Sequence, residues 1–145
     1  MELLESISNV ENGVQVDRFL FEVMIIWSAI HELEIEVLIQ VYEAINLKRD
    51  GKLSWHIFYS TLQNLLGCSE ALCMKEFLKS ATIEDIISQE SFVDATLNCR
   101  SVIQSDLHRK ICFSANDDER KVLVKQKRMV DNLIGRAVDF LKARE

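Results

Sequence analysis

The sequence predicts an all-α chain on three observations. Proline is absent and glycine occurs only four times in 145 residues. Both residues weaken helix interiors, so their scarcity favours helix. Apolar residues recur at spacings of three and four, the period of one helix face. The breaks between these runs are short and carry residues able to cap a helix. Hydrophobic content of 48% is enough for a core and 28% charge is ordinary, so disorder is not expected. The length suits one domain or two small lobes.

Taken in order, Asp17 can cap a helix whose face carries Phe19, Leu20, Val23, Met24 and Trp27. Glu32–Ile45 repeats the pattern with Leu33, Val37, Leu38, Val41, Tyr42 and Ile45. Ser54 caps a run from Trp55 to Leu66, with Phe58, Leu62 and Leu65 on one side. Gly67-Cys68-Ser69 breaks that run, and Ser69 caps the next, which carries Leu72, Phe77 and Leu78. Ser88 starts a helix burying Phe92, Ala95 and Leu97 that runs, with a break, to Phe113. Asn116 followed by Asp117, Asp118 and Glu119 is a strong N-terminus, because acids in the first turn complement the helix dipole. A last helix to about Lys142 uses Met129, Leu133, Ala137, Phe140 and Leu141, giving about seven or eight helices.

The segment from Asn46 to Phe58 has the outline of an EF-hand calcium loop. Such a loop needs Gly at position 6, oxygens at 1, 3, 5, 7 and 9, and a bidentate Glu at 12. With Asn46 at position 1, Asp50 falls at 5, Gly51 at 6, Leu53 at 8 and Ser54 at 9. The outline recurs: Phe21, Phe58, Phe92 and Met129 follow the four candidate loops at separations of 37, 34 and 37 residues. Position 8 is then Val16, Leu53, Ile87 and Val124, apolar in each. A repeat of this length signals stacked supersecondary units. Spacing and length resemble the four-EF-hand proteins of the calmodulin and myosin light-chain superfamily. The resemblance implies EF-hand-like helix-loop-helix pairs in two small lobes, 1–67 and 68–145, hinged at Gly67-Cys68-Ser69. It implies too that the position 8 residues of neighbouring loops meet in a short β-bridge. An unrelated helical bundle with recurring apolar faces is the alternative the residues leave open.

Calcium chemistry is mostly missing. Lys48 stands at position 3 of the second loop and Ile57 at position 12, while the third loop, Ser80–Ser91, ends on Ser91. The first and fourth candidate loops end on Leu20 and Arg128. No loop keeps an acid at position 12, so physiological calcium binding is not expected and no cofactor is implied.

Enzyme chemistry finds little footing, with no phosphate-binding loop, dinucleotide fingerprint or nucleophile elbow. His108 and Cys112 stand one turn apart with Cys99 upstream, but paired Cys-x2–4-Cys ligands are lacking, so buried thiols and a surface histidine are the stronger reading. Lys121, Lys125 and Arg128, with Lys127 and Arg136, form a basic stripe interrupted by Asp131 and Asp139. A solvated helix face explains it better than nucleic-acid contact, and the net charge of −6 argues the same way. No run of about 18 uncharged apolar residues occurs, so no membrane span is expected. The acidic start Met1-Glu2-Leu3-Leu4-Glu5 lacks a signal peptide's basic region, and four apolar-context cysteines suit a reducing cytoplasm.

By resemblance, the chain is a non-catalytic, calcium-independent adaptor or light-chain-like subunit binding an amphipathic helix of a larger protein. Met24, Phe58, Phe77, Phe92 and Met129 would line the grip. Surface acids such as Glu32, Glu34, Glu36, Glu70 and Glu76 would meet the target's cations. The alternative is an all-α scaffold subunit that homodimerises or organises a complex through its last helix.

Overall fold

The computed structural model describes residues 13–81 and 86–144. They form six helices and one isolated β-bridge: α1 Gly13–Ile45, α2 Trp55–Leu66, α3 Glu70–Ser80, α4 Gln89–Phe113, α5 Asp117–Asp131 and α6 Leu133–Ala143. The all-α expectation holds. The chain divides into two compact units, residues 1–35 and 36–145. These bounds differ from the expected lobes, and the Gly67-Cys68-Ser69 break lies inside the second unit.

Several helix starts are set by single capping side chains, as the sequence implied. Ser54 Oγ accepts the Ile57 amide at 3.2 Å, Ser69 Oγ the Leu72 amide at 3.3 Å and Ser88 Oγ the Ser91 amide at 3.1 Å. Asn116 Oδ1 accepts the amides of Asp118 and Glu119. Each satisfies an amide that has no partner within its own helix. At the other end of α2, Gly67 adopts φ 66° and its amide closes on the Gln63 carbonyl, a left-handed helix terminus that glycine takes most cheaply.

Four expectations need correction. Residues 13–45 form one helix where two were expected, so the first candidate loop is helical from Gly13 onward. Asp17 lies inside that helix, with no glycine or proline after Gly13 to interrupt it. The fourth candidate loop is also helix, because the Asn116 cap and three acids start α5 where the loop should begin. Helix α4 runs unbroken through 25 residues. The last helix is instead broken at Asn132, whose φ of −90° and ψ of 53° are not helical and whose Oδ1 accepts the Gly135 amide at 3.3 Å.

The core of the second unit gathers one face from each helix. Leu38 and Val41 of α1, Phe58, Leu62 and Leu65 of α2, Cys73 of α3, and Phe92, Thr96 and Cys99 of α4 are fully buried, together with Leu133 and Ala137 of α6. Aromatic rings form its centre: Phe58 lies 5.3 Å from Phe77 and 6.4 Å from Phe92, and Tyr42 lies 5.7 Å from Phe92. Edge and tilted approaches at these distances add stabilisation beyond burial alone. The two buried threonines spend their hydroxyls on backbone carbonyls one turn back, Thr61 on Ile57 and Thr96 on Phe92. Helix α6 packs on α2, and Arg136 reaches across to the Asn64 carbonyl at 2.7 Å. Helix α5 packs along α4, where Gln104 donates to Asp131 at 2.7 Å.

In the first unit, residues 18–33 of α1 carry Leu20, Phe21, Met24, Ile25, Ile26, Trp27, Ile30 and Leu33, all exposed. The sequence pattern implied that Leu20, Met24, Trp27 and Leu33 pack inward; they are exposed instead. Leu78 is likewise exposed rather than packed.

Truncating Phe92 removes the ring shared by Tyr42 and Phe58, so Phe92→Ala should cost about 3–5 kcal/mol in urea unfolding. The exposed Leu47→Ala should change stability by no more than about 0.5 kcal/mol.

Candidate functional site

The two best candidate loops of the sequence meet each other. The Ile87 amide donates to the Gly51 carbonyl at 2.8 Å, and Lys52 and Ile86 form an antiparallel bridge. Lys52 and Ile86 both occupy position 7 of their loops, one residue before the apolar pair expected to bridge. The position 8 residues, Leu53 and Ile87, point inward and are buried. Their apolar character serves the core directly below the bridge. The Tyr42 hydroxyl donates to the Ile87 carbonyl at 2.6 Å, which satisfies the remaining polar group of this buried junction. The pairing is between the second and third candidate loops, whereas the expected lobes would pair first with second and third with fourth.

The candidate ligand oxygens of the second loop are engaged in shaping it. Asn46 Oδ1 accepts the Gly51 amide at 3.1 Å, Asp50 Oδ1 accepts the Lys52 amide at 2.9 Å, and Ser54 Oγ caps α2. Gly51 sits at φ 75°, a conformation that favours glycine, and a Cβ there would press on Ile86 Cγ2 at 3.2 Å. Arg49 also has positive φ, 54°, without glycine's freedom. Thr82, Ile83, Glu84 and Asp85 of the third loop lie outside the described residues, as does the start of the first. Among the described residues, no group of three or more His, Cys, Asp or Glu side chains is arranged to hold a metal ion.

The expected grip residues do not form one surface. Phe58, Phe77 and Phe92 stand together, but inside the core of the second unit, where they face one another and Trp55. They are structural in this conformation because the helix pair is closed over them. Met24 is exposed in the first unit. Met129, 43% exposed, lines a cleft of about 290 Å³ with Leu65, Leu66, Ile103, Leu107 and Val130. Of the acids expected at the surface, Glu76 is buried, being one turn from Cys73 on the inward face of α3, and Glu34 is buried as well.

Three thiols from separate elements converge. Cys68 of the α2–α3 turn, Cys73 of α3 and Cys99 of α4 are buried and share hydrogen bonds centred on Cys68. Accepting from Cys73 and then Cys99 makes Cys68 the most acidic of the three. The bond to Cys68 and then burial push Cys73 and Cys99 upward, with the Glu76 carboxylate adding to the rise at Cys99. Cys99 is thus committed away from His108 and Cys112, which approach each other at 3.7 Å on the exposed face of α4. The basic stripe of α5 is solvated: Lys121, Lys125 and Arg128 are exposed, and Lys127 pairs with Asp131 at 2.9 Å.

What sequence reasoning missed is the exposed apolar segment of α1. From Val23 to Ile30 it has no charged residue, so apolar side chains face every direction around the helix. An all-round apolar helix needs cover on all sides, and that pattern was the available signal. No helix of the described residues is long and apolar enough to cross a membrane. Compared with known proteins, the chain matches no protein-family model, no curated protein and no solved structure.

Three outcomes check this geometry. Gly51→Ala should cost about 1–2 kcal/mol, while Arg49→Gly should be neutral or stabilising in the same denaturation assay. Burial first, and Asp50 second, raise Tyr42 above its ordinary value of 10. Its neutral form is therefore favoured by folding, so this contribution is intact below pH 10 and lost as pH climbs through the raised folded value. Tyr42→Phe should flatten the alkaline limb of stability against pH. With a thiol-labelling reagent, the exposed Cys112 should react at once, and Cys68, Cys73 and Cys99 only at the rate of unfolding.

Proposed function

We propose that this protein is a non-catalytic assembly subunit, an EF-hand-like helix pair that works without calcium and binds a partner through the apolar segment of α1. The observation that carries the reading is the exposure of eight large apolar side chains between Leu20 and Leu33 of one helix. A typical monomer leaves its largest apolar patch at roughly 300–600 Å². Here Trp27 alone is 73% exposed and Met24 65%. Removing such side chains from water is worth about 25 cal/mol per Å², which makes the segment the strongest source of association energy on the described surface.

The EF-hand-like part of the reading is supported by the paired loops, the glycine at φ 75° and the buried apolar residues at position 8. Calcium independence is supported by the loop oxygens being tied to backbone amides and by Lys48 and Ile57 standing at two ligand positions. The adaptor expected from the family resemblance keeps its helix-binding role, but the gripping element moves from the core aromatics to α1. The cleft at Met129 favours a second reading, in which a partner inserts one apolar anchor between α2, α4 and α5.

Affinity capture with the purified full chain tests the proposal. Partner recovery should be equal in calcium and in chelator, and the double variant Ile30→Glu with Leu33→Glu should lower it roughly tenfold or more, about 1.4 kcal/mol. Recovery that needs calcium, or that survives the charged helix but falls with Met129→Glu, would overturn the α1 reading.

A further inference from the structure

We infer that the cleft at Met129 is a binding site for a small aliphatic carboxylate, an apolar chain ending in one carboxyl group. The inference stands apart from the α1 reading and uses none of its residues. The apolar wall of the cleft is Leu65 and Leu66 of α2, Ile103 and Leu107 of α4, and Met129 and Val130 of α5. Sites for small molecules are concave and mainly apolar, with a few polar groups that fix the ligand's orientation. Here those groups are the Gln126 amide and the Arg136 guanidinium. Among the described residues of the lining, Arg136 carries the only charge.

Charge and volume select the ligand. Arg136 is half-buried, and its Nη2 donates to the Asn64 carbonyl at 2.7 Å. That carbonyl lies in the last turn of α2, where helix carbonyls have no partner within their own helix. The bond holds the guanidinium in place without neutralising it, and among the described residues no acid pairs with it. The remaining N–H groups of the fork are suited to a carboxylate, which a planar guanidinium grips through two parallel hydrogen bonds. A purely apolar ligand would leave this half-buried charge unmatched, and a wholly polar anion would leave the leucine, isoleucine and valine wall bare. An aliphatic carboxylate answers both. With about 30 Å³ for a water-sized atom, the cleft of about 290 Å³ holds about ten non-hydrogen atoms, the size of octanoate.

Titration calorimetry of the full chain with octanoate should show saturable one-to-one binding, millimolar or tighter for so small a ligand. Octanol, the same chain without the charge, should bind roughly tenfold more weakly. Affinity should rise about fourfold with each methylene from hexanoate to octanoate and level off before dodecanoate, whose end would remain in water. Arg136→Gln should weaken octanoate roughly tenfold and leave octanol unchanged, a selective loss that a merely structural arginine would not produce. Absence of saturation, equal binding of octanol, a rise continuing through dodecanoate, or equal losses of both ligands in Arg136→Gln would each overturn the inference.

Nuclear magnetic resonance of isotope-labelled methionine methyl groups reads the location. The Met129 signal, identified by its loss in Met129→Leu, should move with octanoate in step with calorimetric saturation. Met24, exposed on α1, should stay in place. A shift of Met24 without Met129 would put the ligand on the apolar helix and overturn the assignment to the cleft. N-acetyl-leucine presents the carboxylate of a peptide terminus, and tighter binding of it than of octanoate would give the cleft to a protein chain and overturn the small-molecule reading.

Discussion

The hydrogen bond from the Ile87 amide to the Gly51 carbonyl organises the second unit. It joins two loops whose bonded residues stand 36 positions apart in the chain and gives each a backbone partner outside its own helix. Joined, they form one turn of antiparallel bridge that buries Leu53 and Ile87 and takes the Tyr42 hydroxyl as a third member. The helices entering and leaving each loop then have little choice of direction. Phe58 and Phe92, each six residues beyond its bridged residue, are brought face to edge because of it.

Local hydrogen bonds account for the shape of the second loop. Calcium loops draw carboxylates together against their mutual repulsion, and the ion offsets that cost. In this chain Asn46, Asp50 and Ser54 direct their oxygens to amides five, two and three residues on, and the charge to be neutralised is slight. Ile57, where the bidentate acid would stand, lends its amide to the Ser54 cap.

Legibility in the sequence followed the range of the interaction. Ser54, Ser69, Ser88 and Asn116 were readable as helix starts because a cap acts on residues two or three away. Gly51 and Leu53 were readable because a turn's steric demand is local. The pairing partner was not, since a repeat of near-equal spacing permits first-with-second as readily as second-with-third. The core aromatics were identified, but whether Phe58 and Phe77 face a partner or each other depends on helix closure, which spacing does not encode. The three thiols illustrate the same limit: each read as buried, yet their convergence from a turn and two helices is a tertiary fact. Residues 13–45 misled because amphipathic reasoning assigns each apolar residue to an interior, and Leu20, Met24 and Trp27 have none among the described residues.

The break at Asn132 carries a consequence for the C-terminal third of the chain. A Cβ on Gly135 would come within 2.5 Å of the Asn132 side-chain nitrogen, so a side chain at 135 would make Asn132 shift from its capping position. Without that cap, the residues of α5 and α6 would have the makings of one straight rod about 40 Å long at 1.5 Å per residue. A rod cannot both lie along α4 and return to α2, where Leu133, Ala137 and Phe140 are buried. The room left at Gly135 therefore lets one side chain mark the boundary at which α5 ends and α6 begins.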